Sequence, residues 1–522
     1  MMVFLTLSPD LTHWSKSPAG NLAFASGTVH AVAEHDLILL WGMFSVMTKT
    51  QWLASAAMTL LIAAAPASGE TLAEAMASAY QSNPTILSER SKLRATDELV
   101  PQALSNWRPT VTVSGNATRS NTYSYINSGS TIGGTTSGTP QGTQVTSAGT
   151  IVYNAETMGL SVTQPIFRGG RTTAQTRQAE AQVDAERALL SQTEQQVLLN
   201  VANAYLSLVQ AQSVLQLSIN NEQVLQRQLD AVQDRFHVGE VTRTDVSQAQ
   251  SRLSAAHADR TQSEGSLRTA RAGYVQQVGH LPDHVEYPDI LPILPQDMQS
   301  AQTLAATQNP SIGNAQASYQ AALEGIDLIA GELLPVVSVT GTAERIVNFD
   351  GPSTLENVAQ ATLNVTIPIY QAGQEYSRLR AQKQTAGQSR SVLDQARRDV
   401  EDSVASSWEA LTTGRARRAS YNDQIAAAKV ALEGVQRENQ VGSRTVLDVL
   451  NAEQELLQAE VNEVQAHHDE IVAAYQLLNA TGQLTAQYLA LSVELYDPAV
   501  HYEEVHDKWA GFGDRPDLGP EH

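Results

Sequence analysis

The chain lacks cysteine, has few aromatic residues and is short of positive charge. The absence of cysteine excludes a disulfide, a thiolate zinc site and a cysteine nucleophile. Only 33 lysines and arginines stand against 54 aspartates and glutamates, which gives a formal net charge of −21. A phosphate-binding surface needs clustered positive charge, so no nucleic-acid partner is expected. An aromatic content of 5% and a mean hydropathy of −0.22 argue against one large globular core for 522 residues.

Long apolar runs are also scarce, and the one near the start has the features of a signal peptide. The run Trp52–Ala65 is too short to span a bilayer as a helix, which takes about 20 residues. A basic residue precedes it and a small-residue cleavage pattern ending at Ala67 follows, so we predict a signal peptide over 47–67. Residues 1–46 would then be an upstream extension or a mis-assigned start. The alternative is a buried core helix over 37–65. No other stretch is apolar enough for a membrane helix, so a membrane crossing would have to use strands.

The same residue pattern occurs twice along the chain. Asn83-Pro84 returns as Asn309-Pro310, 226 positions later, whereas Pro165 returns as Pro368, 203 positions later. The second copy is therefore 23 residues shorter between these points. We predict a first structural repeat over 70–281, a second over 295–484, and a C-terminal tail over 485–522.

Each copy then alternates apolar and polar residues, as strands with two different faces do. The polar positions are Thr, Ser and Asn rather than Lys or Glu, which suits a sheet with lipid on one side and water on the other. A soluble hairpin packed on a core is the alternative. Residues 127–149, rich in Gly, Ser and Thr, form the predicted hairpin loop that contains the length difference. The predicted strands cover about 108–125, 150–167, 335–348 and 358–370.

An unusually long helical pattern follows the strands in each copy. Heptad spacing of small and large apolar residues predicts long helix pairs over 171–279 and 374–482. A single helix over 171–237 would extend about 100 Å, so it must project from any compact body.

The turn within each helix pair contains a glycine followed by an aspartate. Gly239 and Gly442 are expected to adopt the left-handed conformation past a helix end. Thr244 is predicted to cap the returning helix. Asp245 and Asp448 are predicted to lie at the positive N-terminus of the returning helices.

Together these features resemble the TolC family of outer-membrane channel proteins. The resemblance covers nearly all of residues 70–490 and depends on the duplicated unit, the junctions Gln164–Gly170 and Ile367–Gly373, and the two Val-Gly…Asp-Val turns. It implies a mixed α and β membrane protein, a homotrimer whose four strands per chain form one 12-strand β-barrel continued by a long α-helical coiled-coil barrel. It also implies the outer membrane of a Gram-negative bacterium, with outer-membrane lipid around the barrel and the helical tube in the periplasm.

The function implied by the resemblance is that of a passive exit duct. Such ducts receive substrates from an inner-membrane ABC or RND transporter through a periplasmic membrane-fusion adaptor protein. Both type I protein secretion and multidrug efflux use them. The stretch from Tyr496 to Trp509 resembles the tail of members engaged in type I secretion, which favours protein secretion.

The resemblance also implies roles for individual residues. Arg444 would tie neighbouring chains together at the closed tip, against Thr244 and Asp245. Asp448 would belong to an inward-facing carboxylate ring at the constriction. The predicted adaptor-contacting tips are Val238, Gly239, Glu240, Val441, Gly442 and Ser443. The predicted barrel-helix junction consists of Pro165, Gly169, Gly170, Pro368 and Gly373.

Two positions depart from the family pattern. Asn451 stands where the family has a second ring aspartate, and Asn439 stands where it has a tip tyrosine. A trimer would then present one carboxylate ring at this level instead of two. We therefore predict weaker cation selectivity and weaker cation block than in members with both rings, which an Asn451→Asp variant tests.

An enzyme and a structural trimeric coiled-coil protein are the alternatives. His467 and His468 are adjacent on a helix and point to different faces, and Pro282 separates His280 from His284. Neither pair makes a metal site, so no cofactor or catalytic constellation is expected. A coiled-coil fibre would show uninterrupted heptads without duplicated hairpins whose polar sides are uncharged.

Overall fold

The computed structural model describes residues 70–128, 145–282, 284–288, 292–348 and 354–513. All of them belong to one contact unit, which covers residues 69–522. The predicted signal peptide, the upstream extension and residues 129–144 of the predicted hairpin loop lie outside the described residues.

In the first half of the unit, three helices precede two strands and two long helices. The helices before the sheet are α1 (Leu72–Ser82), α2 (Pro84–Asp97) and α3 (Leu99–Leu104). The strands β1 (Thr110–Ser128) and β2 (Val145–Arg168) follow, and then the helices α4 (Arg171–His237) and α5 (Arg243–Val278).

Corresponding elements recur in the second half in the same order, with one helix in place of α2 and α3, and with shorter strands. They are α6 (Met298–Gln308), α7 (Pro310–Ala330), β3 (Val336–Val347), β4 (Leu355–Thr366), α8 (Gln374–Gln440) and α9 (Val446–Thr481). Helices α4 and α8 have 67 residues each, and α5 and α9 have 36 each. A short helix, α10 (Pro498–His506), lies in the tail. Within the described ranges, no helix is both long and apolar enough to cross a membrane.

The Asn-Pro pairs end the short helices, as the sequence predicts. Asn83 closes α1 and its side chain caps α2, while Asn309 does the same between α6 and α7. Each asparagine also reaches a distant helix end. Asn83 Nδ2 donates to the carbonyl of Gln277 over 3.1 Å, and Asn309 Nδ2 donates to that of Ala480 over 2.8 Å. These bonds fix the start of each half to the end of its own returning helix.

The four strands form one antiparallel sheet in the order β1-β2-β3-β4. Strands β1 and β4 are therefore edges whose outer sides have no partner among the described residues. Strand β4 ends at Thr366, before the predicted end at 370, because Pro368 lacks an N–H group and restricts the residue before it. Strands β1 and β2 instead extend further into the predicted loop than expected.

The apolar side chains of the sheet share one face, and they are exposed. Val113 is 75% exposed, Met158 65% and Leu363 64%. The opposite face carries hydroxyl groups, and Thr163 and Thr340 lie across the β2–β3 pair with their oxygens 3.3 Å apart. This arrangement is the reverse of a soluble sheet, whose apolar face packs on a core.

The main apolar core lies where α1 packs against the middle of α4 and the ends of α5 and α9. It includes the fully buried rings of Tyr205 on α4 and Tyr274 on α5. Tyr205 Oη lies 2.8 Å from the carbonyl oxygen of Glu70 and 2.9 Å from that of Glu286. The buried hydroxyl of Tyr205 thus links α4 to the start of the unit at Glu70. It also links α4 to the connection between the two halves at Glu286.

Candidate functional site

Two turns with the same backbone geometry close the long helix pairs. Gly239, just past α4, and Gly442, just past α8, both have a φ of +79°. The backbone N–H of the residue after each glycine donates to a carbonyl in the last turn of the preceding helix, over 2.9 Å and 3.0 Å. These bonds use carbonyls that a helix end leaves free. The predicted left-handed glycines are confirmed. We call the two turns, residues 238–242 and 441–445, the hairpin tips.

The hairpin tips expose large apolar side chains at their ends. Val238 is 72% exposed and Val441 is 80% exposed, and their neighbours Glu240 and Ser443 are exposed as well. Nothing in the described part of the chain covers these side chains. The predicted adaptor-contacting positions are therefore accessible to a partner.

The returning helices begin with capping boxes. Thr242 Oγ1 accepts from the N–H of Asp245 over 3.3 Å, and Asp245 Oδ2 accepts from the N–H of Thr242 over 2.8 Å. Thr445 and Asp448 repeat the arrangement over 3.3 Å and 2.9 Å. The prediction that Thr244 caps α5 is wrong. A capping residue precedes the helix with an extended backbone, as Thr242 does, whereas Thr244 lies inside the first turn.

The capping box also sets the charge of Asp448. Hydrogen bonds from the backbone and side chain of Thr445, and then the nearby charge of Arg444, lower the pKa of Asp448. Arg444 itself donates from Nε to Glu438 Oε2 over 2.9 Å. Asp448 is thus a carboxylate at neutral pH, held at the first turn of α9.

Asn439 connects the two helical hairpins, α4–α5 and α8–α9. Arg235, in the last turn of α4, donates from Nη1 to Asn439 Oδ1 over 3.1 Å. Asn439 Nδ2 in turn donates to the backbone carbonyl of Arg444 over 2.9 Å. Asn439 therefore joins the end of α4 to the tip of the second hairpin.

A second polar contact and an apolar cluster join the returning helices. Arg252 on α5 donates from Nη2 to Asn451 Oδ1 on α9 over 3.0 Å. Buried apolar side chains from both hairpins pack together nearby: Leu225, Val232, Ala256, Val446 and Leu450. Apolar contacts thus hold the two hairpins side by side, together with two hydrogen bonds that each run from an arginine to a neutral asparagine.

The predicted gate residues fall into two groups. Arg444, Asp448 and Asn451 lie at the start of α9, whereas Thr244 and Asp245 lie at the start of α5. Among the described residues, Arg444 makes no hydrogen bond to either member of the second group, because Glu438 of its own hairpin is its partner. The contact of Arg444 with a neighbouring copy stays a prediction.

A buried carboxyl group lies behind this region. Glu453 on α9 is only 7% exposed, and its Oε2 has no hydrogen-bond partner among the described residues. Burial raises the pKa of Glu453, and this effect exceeds the opposing effects of Gln436 and Arg227. Glu453 is therefore a buried carboxyl group whose Oε2 lacks a hydrogen-bond partner among the described residues.

The junction between sheet and helices depends on left-handed backbone. Gly169 has a φ of +64°, Gly170 of +75° and Gly373 of +81°, whereas Ala372 adopts +52° without being glycine. A Cβ on Gly169 would lie 2.3 Å from the carbonyl oxygen of Gly331, so only glycine fits there. The prolines of the predicted junction flank these turns. Pro165 lies at the irregularity in β2, and Pro368 follows the end of β4.

The family described as outer membrane efflux protein matches residues 75–280 and 302–483, most of the described chain. The chain belongs to this family. The resemblance to TolC channels that the sequence predicts is thereby confirmed. Proteins of the outer membrane efflux protein family are channels and not enzymes, which removes the enzyme alternative.

Two relatives and one solved structure illustrate this membership. Outer membrane efflux protein BepC of Brucella suis is 35% identical over 443 residues, which cover 85% of this chain and 92% of BepC. Outer membrane protein TolC of Escherichia coli is 28% identical over 368 residues, 66% of this chain and 73% of TolC. The crystal structure of the Campylobacter jejuni CmeC outer membrane channel matches with a TM-score of 0.69 at 16% identity, over 84% of this chain and 90% of CmeC. At that identity the match concerns the fold alone.

Among the residues of the site that sequence reasoning missed are Arg235, Arg252 and Glu438. A usable signal was a charge reversal between the copies. At the offset of 203 residues, Arg235 corresponds to Glu438 and Arg252 corresponds to Glu455. Such reversals indicate that the two hairpins of this family member are not interchangeable and face different neighbours.

Proposed function

We propose that three copies of this chain form an outer-membrane exit duct that passively conducts substrates from an inner-membrane transporter to the cell exterior. The observation that carries this proposal is the reversed sheet with two open edges. An exposed apolar face is stable against lipid, and a hydroxyl-lined face is stable against water.

Closure of the sheet requires other copies of the chain. Open strand edges in a membrane leave N–H and C=O groups without partners, which costs several kcal/mol each. If β4 of one copy pairs with β1 of the next, three copies give 12 strands and no free edge. This closed ring is the predicted trimeric barrel in the outer membrane.

The long helices supply the rest of the duct. Each of α4 and α8 has 67 residues and so extends about 100 Å at 1.5 Å per residue. In the proposed assembly they continue from the barrel as a tube through the periplasm. The hairpin tips then lie at the far end, where Val238, Val441 and their neighbours would meet a periplasmic adaptor protein.

The gate in this proposal is the packed end of the helices. Asp448 of each copy would face the axis as one carboxylate ring, and Arg444 would link neighbouring copies in the closed state. Binding of an adaptor would favour an arrangement in which the second hairpin moves away from the first. The contacts through Asn439 and Asn451 would have to break in that movement.

For the cargo, we propose type I protein secretion with an ABC transporter, on the basis of the tail from Tyr496 to Trp509. In the structure this tail packs on the helices below the sheet, where Tyr496 N donates to Tyr80 Oη over 3.1 Å and Arg108 stacks over the ring of Trp509. The second candidate is multidrug efflux with an RND transporter, which the family description and the name of BepC favour.

A complementation experiment tests the duct and separates the two cargo classes. A strain that lacks the gene would receive either the wild-type chain or a chain ending at residue 495, without the tail. Protein secretion predicts that wild type restores an extracellular protein and that drug susceptibility stays unchanged. Restored drug resistance without secretion would support efflux instead. Failure to restore either one, with the protein present in the outer membrane, would contradict the duct.

A further inference from the structure

The exposed apolar face of the sheet contains a groove along β3. Two depressions of about 440 Å³ each share Leu160, Ala343 and Ala359, so they form one continuous groove. Its floor consists of the small residues Gly341 and Ala343. Because β3 pairs with β2 and β4 of the same chain, each copy contains a complete groove.

The groove ends at a positively charged residue. Arg345 lines one end, with Asn357 opposite it on β4. On the same exposed face, Glu156 on β2 and Arg119 on β1 are the other charged residues of the described strands. Two arginines and one glutamate leave one net positive charge per chain on this face. No hydrogen bond or ion pair joins Arg345 to another described residue.

The spacing along β3 places Arg345 at the border of an apolar band. Val337 and Arg345 lie on the same face of β3, eight residues apart. That separation is about 26 Å along a strand at roughly 3.3 Å per residue. A tilt of about 40° reduces it to roughly 20 Å, close to the ~25 Å apolar band of outer-membrane barrels. Arg345 is two residues from the end of β3 at Val347, on the side away from the helices.

We propose that the groove binds one acyl chain of lipid A, the phosphorylated glycolipid of the outer leaflet, and that Arg345 binds its phosphate. The inference rests on the proposed function, which places the loop ends of the strands at the outer surface. The groove residues contact the acyl chain, and small side chains on β3 let it approach the backbone. A guanidinium group donates paired hydrogen bonds to phosphate oxygens, and the amide of Asn357 is a further donor beside it.

Native mass spectrometry of the purified full-length protein with added lipid A tests the proposal. Arg345→Gln should lower the retained fraction of lipid A about tenfold, because a hydrogen-bonded charge is lost. Gly341→Leu should lower it similarly by filling the groove. A Cβ at Gly341 meets no atom within 4 Å, so the strand accommodates the substitution. Gly115→Leu is the matched control, since it is equally open and lies on the same face of β1, outside the groove; it should retain lipid A as the wild type does.

Lipid A without its phosphate groups, added in the same way, should be retained less and should be insensitive to Arg345→Gln, because it offers no phosphate to the guanidinium group. Equal retention of lipid A by the wild type, Arg345→Gln and Gly341→Leu would overturn the proposal. Single-channel conductance of the same preparations distinguishes a failure of the lipid site from a failure of the proposed channel function. Normal conductance with unchanged lipid retention contradicts only the lipid site, whereas a wild-type protein that forms no channel contradicts the proposed function.

Discussion

Arg252 on α5 and Asn451 on α9 form a hydrogen bond of 3.0 Å between the first and second hairpins. Asn451 is also the position where the sequence predicts a departure from the family pattern of two aspartate rings. An aspartate at this position would meet a guanidinium group of its own chain. The net charge of an aspartate ring at position 451 therefore depends on Arg252. This dependence was not visible in the sequence.

We predict that Asn451→Asp alone changes ion selectivity little, because Arg252 neutralises the new carboxylate. The permeability ratio of potassium to chloride should change by less than about twofold. In the double variant with Arg252→Gln, the unpaired carboxylate should raise the ratio roughly threefold or more. Reversal potentials in planar bilayers under a salt gradient give both values. A large increase in the single variant would mean that Arg252 does not contact the introduced carboxylate in the assembled channel.

Replacement of Arg444 by serine is expected to make the closed channel leak. Its exposed ion pair with Glu438 contributes little by itself, so the predicted effect comes from lost contacts between copies. Open time in planar bilayers should increase several-fold. Arg437→Ser is the matched control, because Arg437 pairs with Glu433 one turn away on its own helix. An identical conductance record for both variants would remove Arg444 from the gate.

The junction glycines predict a stability order that depends on geometry alone. Gly169→Ala should destabilise the protein by at least about 3 kcal/mol, because the new Cβ would overlap the Gly331 carbonyl. Gly170→Ala is the matched control, with a similar positive φ and no atom within 4 Å, and should cost only about 1 kcal/mol. Ala372→Gly should stabilise the junction by about 1 kcal/mol, since it removes an alanine from the left-handed region. Thermal unfolding of the detergent-solubilised protein measures the stability of all three variants. A different order of stabilities would contradict the predicted strain at these junction positions.

Glu453 predicts a dependence of stability on pH. Burial raises its pKa in the folded state, so the protonated form is favoured there. The contribution of this group to stability is full below the unfolded pKa of about 4.5 and is lost as the pH rises through the folded value. Glu453→Gln should therefore stabilise the packed hairpins at neutral pH by about 1 kcal/mol and have little effect near pH 4. An equal effect at both pH values would show that Glu453 finds a partner in the assembly.

The sequence predicted the features that depend on local patterns. Heptad spacing and turn glycines located α4 to within a residue at each end, since a helix and its left-handed terminator are specified by neighbours in the chain. The error at Thr244 came from choosing the threonine beside the aspartate. The capping box needs the threonine three residues before it, Thr242.

Contacts between the hairpins were beyond prediction from one sequence. Arg235–Asn439 and Arg252–Asn451 join positions about 200 residues apart that are not equivalent in the two copies. Nothing in the local pattern of either residue specifies its partner. The pairing follows from how α4, α5, α8 and α9 pack, so it became visible only in the folded chain.

The central claim, that β4 of one copy pairs with β1 of the next in a closed ring of three, can be tested by cysteine cross-linking. The chain has no cysteine of its own, so any disulfide reports the introduced pair. Val113→Cys on β1 would be combined with single cysteines along β4 from Ala359 to Val365. The control pair Leu160→Cys and Ala359→Cys lies two strands apart, about 9.6 Å, which is too far for a disulfide. We predict oxidised products of two and three times the monomer mass, with none larger, for at least one position on β4. Products confined to the monomer at every position, or a ladder that continues beyond three copies, would contradict the claim.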